Sequence, residues 1–144
     1  TTPFEYELNP TARKFETFEY SVAGFLGLGA AVDYTLSWGM ESIWERIEKL
    51  ANYLREQLEQ INSITMHDIG EYKCGIVTFS VSGKTSIEVR DTLYQHSINI
   101  SVANAQNALI DMLDRGLKSI LRASLHYYNT IDEIDKFCEI LRKI

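Results

Sequence analysis

The chain has 144 residues, 45% of them hydrophobic and 24% charged, which describes a globular domain with a core of its own rather than a disordered or low-complexity segment. A net charge of −6 argues against nucleic acid, whose phosphate backbone is met by a surplus of Lys and Arg on one face. The two cysteines, Cys74 and Cys138, form no CxxC pair and fit a reducing, cytoplasmic compartment better than a disulfide framework.

Residues 1–20 read as an extended leader, because Pro3 and Pro10 each remove a backbone donor and bias the preceding residue away from helix. Residues 21–144 read as a single domain. From Ser21 a helix is expected through about Trp38, and Gly24, Gly27 and Gly29 within it suggest close packing against another backbone. Its most apolar run, Val22 to Val32, is about half the ~20 residues a membrane span needs, so no membrane is implied. Gly27-Leu28-Gly29 follows no strand and is not extended to GxGxxG, which excludes a dinucleotide fold.

Met40, Ile43, Trp44, Ile47, Leu50, Ala51, Leu54, Leu58 and Ile61 recur at spacings of three and four and predict an amphipathic helix with a solvated charged face. Ile64 to Met66 is a weak strand signal. Ile76 to Val81 is a strong one, with Val77, Phe79 and Val81 on one face. Gly83-Lys84 turns the chain, Thr85 and Glu88 form a capping box for a helix to about His96, and Ile98, Ile100 and Val102 alternate as a further strand. Residues 103–119 read as a loop with at most one helical turn. Ile120 to Leu125 reads as a strand bracketing Arg122, and Thr130 with Glu133 caps a final helix that buries Ile134, Phe137, Cys138 and Leu141. This order is α+β: a small, mainly antiparallel sheet with helices packed on one face and the other face left free.

Self-contained chemistry is absent from the pattern. His67, His96 and His126 fall in separate elements with no metal-ligand spacing, so no metal is expected. Cys138 on a buried stripe and Cys74 beside a strand read as structural. Arg122 departs from the pattern: a guanidinium projecting from a strand suits bidentate binding of a carboxylate, against the alternatives of an edge-strand arginine in solvent or a structural ion pair.

Arg122-Ala123-Ser124-Leu125-His126-Tyr127-Tyr128-Asn129-Thr130, with Glu133 and Ile134, resembles the C-terminal signature of class V aminotransferases. These are the fold-type I pyridoxal-phosphate (PLP) enzymes that include cysteine desulfurases, selenocysteine lyases and isopenicillin N epimerases. Phe15-Glu16-Thr17, Gly27 to Tyr34, Gly75 to Phe79 and Ile98 to Val102 are similar in order and spacing, so the resemblance spans nearly the whole chain.

The resemblance implies the C-terminal domain of a larger enzyme, homodimeric when complete, whose missing N-terminal large domain carries the Schiff-base lysine and most of the PLP site. None of Lys14, Lys49, Lys73, Lys84, Lys118, Lys136 or Lys143 sits in such a motif. No catalytic residue is therefore expected in this chain, and the fragment alone is not expected to catalyse. Arg122 occupies the position of the family arginine that grips the α-carboxylate of an amino-acid substrate. Thr130 reads as a helix cap and His126 as a cleft-lining residue without assigned chemistry.

Three departures stand out. Glu19 falls at or near a position where many members carry a phosphate-contacting threonine. The loop 103–119 lacks the sulfur-accepting cysteine of desulfurases, which disfavours persulfide chemistry. Asn107-Ala108-Leu109-Ile110 precedes Asp111-Met112 where the most similar branch often has Ser-Thr-Arg, leaving the loop's substrate contacts open. The competing reading is a stand-alone α+β binding or regulatory module without catalysis.

Overall fold

The computed structural model describes residues 3–17 and 19–144 and divides into two units, Thr1–Gly39 and Met40–Ile144. The leader expectation at Thr1, Thr2 and Phe18 lies outside the described residues. Elsewhere in the leader one element of regular structure was not foreseen, a 3₁₀ turn over Ala12–Phe15, which Thr11 caps by accepting from the Arg13 amide.

Helix α1 runs over Val22–Trp38, where Ser21 Oγ accepts the Gly24 amide at 3.1 Å and Gly39, at φ 83°, ends it. None of its residues is buried. The close packing inferred from its glycines is not found within this unit, since a Cβ on Gly27 or Gly29 meets nothing within 4 Å.

The second unit holds the core. Helix α2 (Met40–Glu59) buries Ile43, Leu50, Ala51, Leu54 and Leu58, whereas Met40 and Trp44 at the start of the apolar stripe stay about half exposed. It is followed by β1 (Ile64–Met66), β2 (Ile76–Val81) and α3 (Ser86–Gln95). Then come β3 (Ser101–Asn104), α4 (Leu109–Asp114), β4 (Ser119–Ser124) and α5 (Ile131–Leu141). Both expected capping boxes form: Thr85 and Thr130 accept from the amides of Glu88 and Glu133, whose carboxylates return to the cap amides. Those bonds hold both glutamates below the usual carboxylate range.

The four strands form one antiparallel sheet in the order β1-β2-β4-β3, which places β4 inside the sheet. Val77, Phe79, Val81 and Leu121 pack with Leu50, Leu54, Leu58, Val89, Leu93, Phe137 and Leu141 into one core cluster. Helices α2, α3 and α5 thus cover one face, as expected. Cross-strand partners share a face, so Thr78, Arg122 and Ser101, aligned in register across β2, β4 and β3, form a row on the opposite side.

Two expectations need correction. Ile98 and Ile100 are not in a strand, because a Schellman motif closes α3. Ser97 takes φ 62° and donates to Tyr94 O, while the Ile98 amide returns to Leu93 O, so pairing with β4 begins only at Ser101. The segment 103–119 is not merely a loop. It carries a 3₁₀ turn, Ala105–Asn107, and then α4, whose Met112 is buried while Leu109, Ile110 and Leu113 face solvent. The Asp111–Arg115 pair, at 3.1 Å and one turn apart, braces it.

Candidate functional site

Arg122 sits in the middle of β4, flanked by Thr78 and Ser101. Because β4 is an interior strand, it is not an edge arginine. Among the described residues its guanidinium makes no hydrogen bond or ion pair. It is exposed at a small recess of about 160 Å³ that it shares with Asn99, Ile100, Ser101 and Ser124. This is a planar, unpaired cation framed by short polar side chains, an arrangement that accepts a carboxylate through two parallel N–H···O bonds.

The recess exists because the β3–β4 ladder stops at the Ser101–Arg122 pair. The Leu125 amide donates to Gly75 O on the β2 side at 2.8 Å. By the alternation of an antiparallel strand, Ser124 therefore turns its own backbone groups the other way, toward Asn99. Past this point the segment 97–100 diverges from β4 and opens a cleft of about 410 Å³, which shares Asn99, Ile100 and Ser124 with the recess. Sequence reasoning missed both cavities.

Thr78, on one side of Arg122, is held from below. Its amide and its hydroxyl both donate to Asp68 Oδ1, at 2.7 and 2.6 Å. Asp68 Oδ2 accepts from Arg55 Nε at 2.8 Å, and both side chains of this pair are 8% exposed. Arg55 Nη2 reaches the carbonyls of Cys74 and Ile76 at 2.7 and 3.2 Å, and Nη1 reaches Asn52. Arg55 is thus no part of the solvated face expected for α2. Its position four residues after buried Ala51, on the apolar stripe, is the signal that marked it.

The histidines are dispersed. His67 Nε2 meets Ser80 Oγ at 2.9 Å, and burial pushes this imidazole below its ordinary range. His126 stacks on Tyr128 at 4.7 Å and lies beside Tyr127 at 4.5 Å; it is not among the residues lining the recess or the 410 Å³ cleft. Its backbone is clasped by Asn129, which Arg46 anchors to α2 through a 3.0 Å bond to the carbonyl. Among the described residues, no group of three or more His, Cys, Asp or Glu is placed to hold a metal ion, and no helix is long and apolar enough to cross a membrane.

The two thiols differ. Cys138 is fully buried in α5, and burial pushes its pKa up to about 11; Cys74 is exposed. Iodoacetamide at pH 8 should therefore alkylate Cys74 in the native chain and leave Cys138 unmodified until denaturant is added, as peptide mapping will show.

The sequence matches the family model described as aminotransferase class-V over residues 2–137. It is 31% identical over 137 residues to a probable cysteine desulfurase of Xylella fastidiosa, covering 94% of this chain and 32% of that protein. It is 32% identical over 131 residues to a cysteine desulfurase of Serratia proteamaculans, covering 91% and 32%. Among solved structures, the apo cysteine desulfurase of Thermococcus onnurineus superposes with a TM-score of 0.82 at 26% identity, covering 99% of this chain and 36% of the other. The chain spans about a third of the length of these relatives.

Proposed function

Because the chain belongs to the class-V aminotransferase family, we propose that it serves as the C-terminal small domain of a larger PLP-dependent enzyme acting on an amino acid, with Arg122 holding the substrate α-carboxylate. The observation that carries this reading is the unpaired Arg122 guanidinium on an interior strand, open to a recess framed by Asn99, Ser101 and Ser124.

The recess fits the substrate's end of the reaction and not the cofactor. PLP, when bound, would be held through a lysine amine and would supply an electron sink to the substrate amino acid, and no lysine lines the recess. In this reading the Schiff-base lysine and the body of the PLP site lie in the rest of the enzyme, which pairs as a homodimer. What this chain's residues do is bind and orient. Arg122 fixes the carboxylate, and the Thr78–Asp68–Arg55 chain of hydrogen bonds holds the neighbouring strand in register so that the guanidinium keeps its place. The segment 103–119 carries no cysteine, which supports a reaction without a persulfide there. Two free thiols, with no disulfide, suit a cytoplasmic setting.

In the complete enzyme, Arg122→Ala is expected to lower kcat/KM for amino acids at least tenfold, since a charge-assisted hydrogen bond is worth roughly 1.5–3 kcal/mol. Arg122→Lys, which keeps the charge and loses the fork, should recover only part of it. An unchanged kcat/KM in the alanine variant overturns the assignment.

A further inference from the structure

The face of the sheet that carries Arg122 is not bare. Leu121 points into the core, so by alternation its neighbours Ile120 and Arg122 point to the side away from α2, α3 and α5. Ile120 is nonetheless buried, and so is Met112 of α4, although neither belongs to the core cluster. One hydrogen bond shows what covers them. Arg115, which caps α4, donates from Nη2 to the His67 carbonyl at 2.6 Å. His67 follows β1, its amide donating to Thr78 O, and its ring meets Ser80 Oγ on the Arg122 side of the sheet. To span from Ser119, at the start of β4, to that carbonyl, the segment must cross β4 and β2 on the same side, because α2, α3 and α5 fill the other. Helix α4 therefore lies on the Arg122 face.

Only Met112 of its apolar residues is buried there. Leu109, Ile110 and Leu113 are 55, 80 and 62% exposed. Spacings of three and four residues set them side by side, so they form one apolar ridge and not three scattered exposures. The site on this face is unfinished in the same direction. With Arg122 read as the carboxylate grip, the reacting end of the substrate must meet PLP held outside the recess, since no lysine lines it. The relatives carry about two thirds of their length beyond the part this chain matches, and the portion that holds PLP has to approach the face on which α4 stands.

Resting on that reading of Arg122, we propose that the ridge of Leu109, Ile110 and Leu113 is the seat on which the PLP-bearing part of the same subunit docks, through an apolar surface of its own. Burying the ridge removes its apolar surface from water and brings the reacting end of the enzyme up to Arg122 in one step.

The test uses the complete enzyme. Ile110→Cys and Leu113→Cys are compared with Tyr94→Cys, on α3 and exposed in this chain. Pulses of N-ethylmaleimide followed by peptide mapping give each labelling rate, native and in denaturant. Both ridge thiols are expected to react at least tenfold more slowly in the native enzyme than in denaturant, whereas the Tyr94→Cys thiol changes little. Ridge thiols as reactive in the native enzyme as in denaturant overturn the proposal. Ile110→p-benzoylphenylalanine, a photo-crosslinking side chain, then identifies the occupant. The expected product keeps the mass of one subunit and joins position 110 to a peptide outside these 144 residues. A product of twice that mass assigns the ridge to the partner subunit, and a link within the 144 residues assigns it to a fold-back of this chain; either overturns the proposal. Arg122→Ala should leave the labelling unchanged. If that variant keeps full kcat/KM while the ridge stays protected, it is the carboxylate role of Arg122 that fails, and the docking seat stands on the crosslink alone.

Discussion

Asp68→Ala is expected to destabilise the fold by about 3–5 kcal/mol, more than any other single side-chain truncation near the site. The carboxylate takes over the β1–β2 ladder where β1 ends. The His67 amide still donates to Thr78 O, and from there Asp68 Oδ1 accepts the Thr78 amide in place of a strand carbonyl. Its other oxygen neutralises Arg55, a guanidinium that is nearly dry. Truncation strands a buried cation and a strand amide together, and an uncompensated buried charge is the larger loss. Thermal unfolding should register a drop of about 10 °C. Two controls make the result specific. Asp68→Asn keeps an acceptor for Thr78 and should lose less. Asp91→Ala, which breaks an Arg90 pair whose side chains are 43% and 56% exposed, should shift stability by under about 0.5 kcal/mol. A loss at Asp68 no larger than at Asp91 would show that the pair is not desolvated as described.

Gly75→Ala is the second large effect, expected at about 3 kcal/mol, the upper end of what overpacking usually brings. A Cβ at this position falls 2.8 Å from the carbonyl oxygen of Leu125 and 2.6 Å from Cγ2 of Ile47. The Ile47 methyl sits on Cβ and moves only with a change of χ1, which a β-branched residue in a helix resists. The Leu125 carbonyl is held too, because the same residue's amide is bonded to Gly75 O and fixes the end of β4 against β2. The strands must separate at the end of β4, three residues past Arg122, so the substitution should also weaken carboxylate binding there. Urea unfolding measures the first effect and calorimetry with butyrate the second. Wild-type stability in Gly75→Ala would mean that β2 and β4 are not in this contact.

The parts of this structure that were legible in the sequence are those decided locally. The two capping boxes are set by four-residue motifs, and Val77, Phe79 and Val81 show their buried face by alternation alone. Ile98 and Ile100 alternate just as well, yet they form no strand, because the cap of α3 consumes Ser97 and Ile98 before pairing begins. Met112 explains the missed helix: a single buried anchor stabilises α4 in a segment too short to show a period, with Leu109, Ile110 and Leu113 left in solvent. Arg122 was visible as an anomaly, whereas its place on an interior strand depends on β4 inserting between β2 and β3, a non-local event. The recess beside it was invisible for the same reason, being defined by where two strands cease to pair.

That insertion also sets when the chain can become a structure during its synthesis. The strands emerge from the ribosome as β1, β2, β3 and β4, but β4 lies between the second and the third. Until residue 124 has been made, β2 shows solvent an unpaired edge and β3 has no neighbour at all. At about 5–20 residues per second, the stretch between β3 and the end of β4 leaves this half-sheet waiting for about 1–4 seconds, with Val77 and Phe79 only partly covered. Shortened products that stop before β4 would keep that edge for good, so they are the ones to watch for aggregation and for capture by chaperones.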